Sequence, residues 1–150
     1  MGANLPQGDR AMASDLQPLG LAIKRVQHRH HRTLDAALIE IGTTLAQWDA
    51  LRAIARHPES SSHKLAGLTF QSDQSFGALA NRMVDRGLVR RVAGEGRAIL
   101  HHLTPEGEAM LRAGNAVADR TLAASFAPLA KAERQQLQAL LGKLLGDPGA

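Results

Sequence analysis

Two short β-type runs, Leu88 to Val92 and Ala98 to Leu103, flank Ala93-Gly94-Glu95-Gly96 in a chain whose other apolar residues recur at steps of three and four. That single interruption narrows the folds open to the sequence. Glycines between two β-type runs read as a hairpin, and the spacing elsewhere reads as amphipathic helices. Ser14-Asp15-Leu16-Gln17 fits a capping box, with Pro18 in the first turn. Leu19, Ile23, Val26, His30, Leu34 and Leu38 then trace one face of a long helix that ends at Gly42. Thr44-Leu45-Ala46-Gln47 opens a second helix with Trp48, Leu51 and Ile54 inward, stopped before Pro58. A short helix is expected over 62–69. Ser72 caps the next, with Phe76, Leu79, Ala80 and Met83 inward, and Gly87 ends it. After the hairpin, Thr104-Pro105-Glu106 starts a helix to about Ser125. A last helix, about 131–145, carries Leu137, Leu140, Leu141, Leu144 and Leu145.

Composition excludes several kinds of protein. The 150 residues are enough for one compact unit, and 44% hydrophobic with 21% charged is a globular balance. With no cysteine there are no disulfides, thiolate nucleophiles or Cys-containing zinc sites. Four aromatics, Trp48, Phe70, Phe76 and Phe126, are too few for base-stacking platforms on single strands. No apolar run is long enough to span a membrane. Residues 1–14, Gly-, Pro- and polar-rich, are expected to be a disordered tail and lack the apolar run of a signal peptide. A cytoplasmic location is the expectation. The net charge is +4, and residues 46–104 hold eight Lys/Arg against five Asp/Glu, whereas residues 105–150 are balanced at five and five. A polyanionic partner fits that excess.

Residues 46–104 therefore run helix, helix, turn, helix, hairpin. That order is a winged helix-turn-helix, in which the second helix of the pair enters the major groove and the hairpin reaches flanking backbone. At about 100° per residue, burying Phe76 turns Gln74, Ala78, Asn81 and Asp85 outward, with Ser75 and Arg82 on one flank. Amides pair with adenine edges, and arginine with guanine or phosphate. Gly77 costs about 1 kcal/mol in a helix interior, which suggests a close approach there. Arg90, Arg91 and Arg97 cluster about the hairpin, suited to phosphate or a narrow minor groove. The DNA-binding candidates are Ser72, Gln74, Ser75, Ala78, Arg82, Arg90, Arg91 and Arg97.

Several stretches carry a family resemblance: Leu45-Ala-Gln-Trp-Asp-Ala-Leu, Lys64-Leu-Ala, Ala80-Asn-Arg-Met-Val-Asp-Arg-Gly-Leu-Val-Arg-Arg, Gly96-Arg97 and Leu103-Thr-Pro-Glu-Gly. Over about residues 15–145 the sequence resembles the MarR family of bacterial transcription regulators. The resemblance implies a mainly α fold with a small β-hairpin wing and long N- and C-terminal dimerisation helices. It divides the chain into an N-terminal dimerisation helix over 15–45, a DNA-binding region over 46–104 and C-terminal dimerisation helices over 105–150. It implies a homodimer on a near-palindromic site in double-stranded DNA, usually a repressor, often released by a small aromatic or anionic ligand. Two features depart from the family pattern. The wing tip is about two residues shorter, with Glu95-Gly96-Arg97 where Asp-x-Arg is common. Ala78 replaces a common polar residue, which shifts readout toward Gln74 and Ser75.

Gln-His-Arg-His-His-Arg at 27–32 is the oddest local run. His30 falls in the middle of the apolar stripe, His31 at its edge, and His28 and Arg32 face solvent. They do not converge as the three or four ligands of a metal site must. His30 is then either a hydrogen-bonded core or interface histidine, or a donor to a small aromatic carboxylate or phenolic ligand beside Trp48 and Arg52. His57, His63, His101 and His102 are expected at the surface or near phosphates. No phosphate loop, nucleophile elbow, paired-carboxylate signature or His-Glu-x-x-His is present, so an enzyme is not expected. No cofactor is expected. The alternatives are a ligand-independent architectural DNA-binding protein and a metal-responsive regulator using its histidines.

Overall fold

The computed structural model describes residues 7–147, with side chains described for 15–147. Helix α1 spans Gln7–Ile39, α2 Leu45–Arg56, α3 Ser62–Leu68 and α4 Asp73–Asp85. Strands β1 (Val89–Ala93) and β2 (Ile99–Leu103) follow, then α5 (Pro105–Phe126) and α6 (Lys131–Leu145). The helices thus sit where apolar periodicity and capping residues put them. Thr44, Ser61, Ser72 and Thr104 each accept from the backbone N–H three residues on, meeting one of the unpaired donors of a helix start.

The main difference lies at the N-terminus. Helix α1 opens at Gln7 rather than at the Ser14 box, so Pro18 lies inside it. Ala11, Met12 and Ala13 are strong helix formers, and they carry the helix past a proline that removes one backbone hydrogen bond. Residues 1–6 of the expected tail lie outside the described residues. The second capping box forms only by half. Thr44 accepts from Gln47 N at 3.1 Å, but the Gln47 amide turns to Thr43 (3.2 Å) and Arg86 (2.6 Å).

Two apolar clusters organise the chain. One joins α2, α3, α4 and the strands through Leu51, Ile54, Leu65, Phe76 and Met83, all essentially without solvent contact. The other joins α1, α2 and α5 through Leu34, Leu38, Trp48, Val117 and Ala118. Trp48 fits there because Gly114 on α5 has no side chain; a Cβ at that position would lie 2.4 Å from the indole Cδ1. At the start of α5, a Cβ on Gly107 would lie 2.0 Å from the Leu88 carbonyl oxygen.

The strands pair antiparallel with Val89 opposite Leu103, Arg91 opposite His101 and Ala93 opposite Ile99. His101 also bridges to Ser60 in the α2–α3 loop, so the wing is stitched to the helices as well as to itself. The terminal helices are different. Leu16, Leu19, Leu21 and Val26 on α1 are more than half exposed, and Leu144 and Leu145 on α6 are about three-quarters exposed. Among the described residues no helix is long and apolar enough to cross a membrane.

Candidate nucleic-acid interface

Helix α4 buries Phe76, Leu79, Ala80 and Met83 and leaves Gln74, Ser75, Ala78, Asn81 and Arg82 exposed. The outward face is the one the spacing implied. Its first turn is tightly organised. Ser72 accepts from Ser75 N at 3.1 Å and donates to Ser75 Oγ at 3.0 Å. Asp73 contacts His63 Nδ1 of α3 at 3.0 Å, which clasps the N-termini of the two helices together. Among the described residues the Gln74 and Arg82 side chains make no hydrogen bond and stand free on the outer face.

The basic residues of the wing split into three. Arg91 leans back over α4 and donates to Asn81 Oδ1 at 2.7 Å. That contact occupies the Asn81 acceptor that an adenine amino group would use. Arg97 is exposed at the tip, where Gly94 N donates to Ala98 O at 2.8 Å and closes a short turn. Arg90 points the other way. Successive strand residues face opposite sides, and Arg90 lines a recess behind the wing with residues of α2 and α5. The sequence treats the three as one cluster; the pleat does not.

Two residues beyond these candidates matter to the geometry. Arg86, at the end of α4, donates to Gln47 Oε1 and to the Gly42 carbonyl, both at 2.6 Å. It ties α4 to the turn between α1 and α2. His101 is 1% exposed, not a surface residue as expected. Its Nδ1 faces the Ser60 carbonyl at 3.1 Å and its Nε2 lies 3.4 Å from Ser62 Oγ. A carbonyl only accepts, so Nδ1 carries the proton and Nε2 accepts from the Ser62 hydroxyl. The ring meets Phe76 edge-on with centroids 6.3 Å apart. Burial holds this imidazole below the usual histidine range, with Arg91 and His102 adding to the effect and the Ser60 bond opposing it. The alternation of β2 was the available signal: His101 lies two residues before Leu103, on the core side.

The candidate ligand residues do not all meet. Trp48 donates from Nε1 to Asn115 Oδ1 at 3.0 Å, and the Arg52 guanidinium sits 4.4 Å from its ring centroid. Both line a cavity of about 390 Å³ between α2 and α5, with Arg56, Asn115, Asp119 and Leu122. Beside it, burial pushes the Asp49 carboxyl above its usual range, against the pull of Arg52 at 3.5 Å. His30 is not part of that lining. It contacts Ser125 Oγ at 2.5 Å and the edge of Phe126 at 5.1 Å between centroids. Ser125 and Asn115 are ten residues apart on α5, about 15 Å of helix. Among the described residues no group of three His, Asp or Glu side chains is gathered as a metal site, and His28, His30 and His31 diverge.

Residues 41–98, from the turn after α1 through the wing turn, match the model of the MarR family. This segment, α2 through β1 and the wing turn, is similar to the MarR family. Beyond that segment the chain is 29% identical over 136 residues to HTH-type transcriptional repressor Rv2887 of Mycobacterium tuberculosis, covering 89% of this chain and 98% of that protein. Its relatives are transcriptional repressors, not enzymes. The crystal structure of Rv2887 with p-aminosalicylic acid superposes with a TM-score of 0.72 at 29% identity, over 85% of this chain and 98% of that one. Its complex with DNA gives 0.73 at 27% identity, over 85% and 97%. A probable transcriptional regulator from Pseudomonas aeruginosa gives 0.74 at 28% identity, over 84% and 96%. The similarity thus extends well beyond the matched family segment.

Proposed function

We propose that this MarR-family chain is a DNA-binding transcriptional repressor that acts as a homodimer on a near-palindromic site. The observation that carries the reading is the outer face of α4. Gln74, Ala78 and Arg82 are exposed and unengaged beside a basic wing tip, while the opposite face is locked into the core. Gln74 and Ser75 read base edges from the first turn, Arg82 follows one flank, and Ser72 holds the turn in shape. Arg97 meets the flanking minor groove or phosphates. Arg91 acts from its position over Asn81. The DNA complex of Rv2887 supports this reading.

The second copy covers the exposed leucines of α1 and α6, since apolar stripes of that length mark interfaces. In that division 15–45 and 105–150 join the subunits and 46–104 reads DNA. The ligand is a small aromatic carboxylate or phenolate, and its pocket is the Trp48–Arg52 cavity. Indole supplies apolar surface and guanidinium fixes the acid. The complexes of Rv2887 with p-aminosalicylic and salicylic acid support that class. Release of DNA about 100-fold needs a preference of about 2.7 kcal/mol for the unbound spacing of the two reading heads. The protein works in the cytoplasm, with the chromosome.

The test is operator binding. Gln74→Ala should lose about 1–3 kcal/mol of discrimination at one base pair per half-site. Arg97→Ala should lower the slope of log affinity against log salt by about 0.9 for each phosphate it ceases to neutralise. A uniform loss across all sequences for Gln74→Ala makes it a backbone contact. Titration of benzoate and phenol compounds against Trp48 fluorescence and DNA release decides the ligand arm; no quenching and no release leaves an architectural DNA-binding protein.

A further inference from the structure

Phe70 is 99% exposed with φ at +56°, an unusual combination for a large aromatic side chain. The backbone around it is a standard helix ending. Gln71 N donates to Ala66 O at 2.9 Å and Phe70 N to Gly67 O at 3.3 Å. Those two bonds make a complete Schellman motif, with Thr69 as the cap of α3 and Phe70 as the residue beyond it. Glycine is the usual occupant of that place, because a left-handed backbone crowds any Cβ. The chain does use glycine for the left-handed residues that end α4 and α6, Gly87 at +74° and Gly146 at +75°. At the end of α3 it uses a phenylalanine instead, and the ring is left to solvent, with no packing to offset the strain.

Strain held without a packing gain points to a contact outside the chain. The position of the ring narrows the choice. Phe70 stands two residues before Ser72, the cap of α4, and so borders the first turn that carries Gln74 and Ser75. Helix α3 packs on α2, α4 and β2, which places the ring on the winged helix, whereas the long exposed leucine stripes lie on α1 and α6. Its surroundings are polar and basic. Leu68 is the only large apolar neighbour in a shallow recess that both share with Arg56 and His57. Among the described residues neither Arg56 nor His57 has a carboxylate oxygen within 4.0 Å. Two apolar side chains are too small a patch for a protein partner, and unpaired cations beside them suit a polyanion. We propose that Phe70 lies against deoxyribose on the rim of the major groove, in the DNA complex of the function proposed above, on which this inference rests. Sugars are the same at every base pair, and the ring neutralises no phosphate. The contact therefore adds affinity without sequence preference or salt dependence, and it fixes how far the first turn of α4 enters the groove.

The experiment uses the full chain and a duplex that wild type selects from a random pool. Phe70→Gly should melt no lower than wild type, yet bind both the selected duplex and an unrelated one about tenfold more weakly, with the slope of log affinity against log salt unchanged. Phe70→Leu should recover part of the loss. Hydroxyl radicals cut DNA at deoxyribose, so at saturating protein wild type should protect sugars beside each half-site that Phe70→Gly leaves open. Wild-type affinity in Phe70→Gly, or an unchanged sugar footprint, overturns the proposal. So does a loss seen only at one thymine and reproduced in wild type by deoxyuridine there; the ring then reads a methyl group. A changed sedimentation coefficient for Phe70→Gly without DNA also overturns it and assigns the ring to a contact between copies. Gln74→Ala separates the two readings. If it loses discrimination while Phe70→Gly binds as wild type does, only this inference falls; a wild type that selects no duplex removes the functional reading itself.

Discussion

Gly114→Ala tests the packing on which the ligand cavity depends. On an open helix face the change would stabilise, because alanine is about 1 kcal/mol better than glycine in a helix interior. Gly114 is buried against Trp48, and the new Cβ would lie 2.4 Å from Cδ1 and 2.9 Å from Nε1. No pair of atoms tolerates that distance, so the indole must turn or α5 must move away. The indole is held on one edge by Asn115 at 3.0 Å and on its face by Arg52 at 4.4 Å. Turning it forfeits the hydrogen bond, worth about 0.5–1.5 kcal/mol, and overpacking adds about 1–3 kcal/mol. After the propensity gain the net loss is about 1–3 kcal/mol, a fall of several degrees in melting midpoint. Trp48 is the sole tryptophan, so its emission should shift in the native state of the variant. Gly77→Ala on α4 is the control: nothing lies within 4 Å of its added Cβ, so the free protein should gain about 0.5–1 kcal/mol. If Gly114→Ala gains stability as Gly77→Ala does, with unchanged emission, the close packing of α5 on Trp48 is refuted.

Other positions give further tests. Gly107→Ala should cost more than Gly114→Ala, at least about 3 kcal/mol by chemical denaturation, because the obstacle is the Leu88 carbonyl, a backbone atom held in place by Thr104 N at 3.1 Å; a loss below about 1 kcal/mol would contradict it. Phe70 is 99% exposed with φ at +56°, so Phe70→Gly should leave stability unchanged or raise it by up to about 1 kcal/mol as the left-handed strain is relieved; a clear fall in melting midpoint would mean that the ring is packed in the assembled protein. Arg86→Ala should cost about 1–2 kcal/mol of stability, and Arg86→Lys should recover less than half, since one ammonium cannot span Gln47 and Gly42 as the fork does; full recovery would reduce Arg86 to a simple charge. For His101 the folded pKa lies below the unfolded one, so the neutral form stabilises the fold. That contribution is complete above about pH 6.5 and is lost as pH falls through the unfolded and then the folded value. The difference in stability between wild type and His101→Asn should therefore shrink between pH 7 and pH 5, and a constant difference would show that His101 does not titrate in that window.

Most of the fold was legible because each element carries its own signals. Hydroxyl residues at 44, 72 and 104 mark helix starts and form the caps. Gly87, at φ +74°, ends α4 where it was expected to. The inward face of α4 followed from spacing alone. What was not legible depends on partners distant in sequence. Asn81 looks free on a helical wheel, but a strand ten residues later delivers Arg91 onto it. Arg86 looks like one more surface charge, but its partners Gln47 and Gly42 lie 39 and 44 residues back.

The ligand residues illustrate the limit most sharply. A wheel gives the direction of a side chain around its helix, and for His30 it gave the right one: the ring faces inward, toward α5. It gives no height along the facing helix. Leu34 and Leu38 join Trp48, Val117 and Ala118 in one cluster, while His30, a turn before Leu34, meets Ser125 and Phe126. The chains of α1 and α5 run in opposite senses, so each turn toward the start of α1 moves a turn toward the end of α5. Trp48 and Arg52 stay level with Asn115, and His30 is carried away from them. The reading of His30 as a hydrogen-bonded, packed histidine needs only the inward direction, and its contact with Ser125 is of that kind. The pocket reading needed direction and height together, and only the packing of α1 on α5 decides the second.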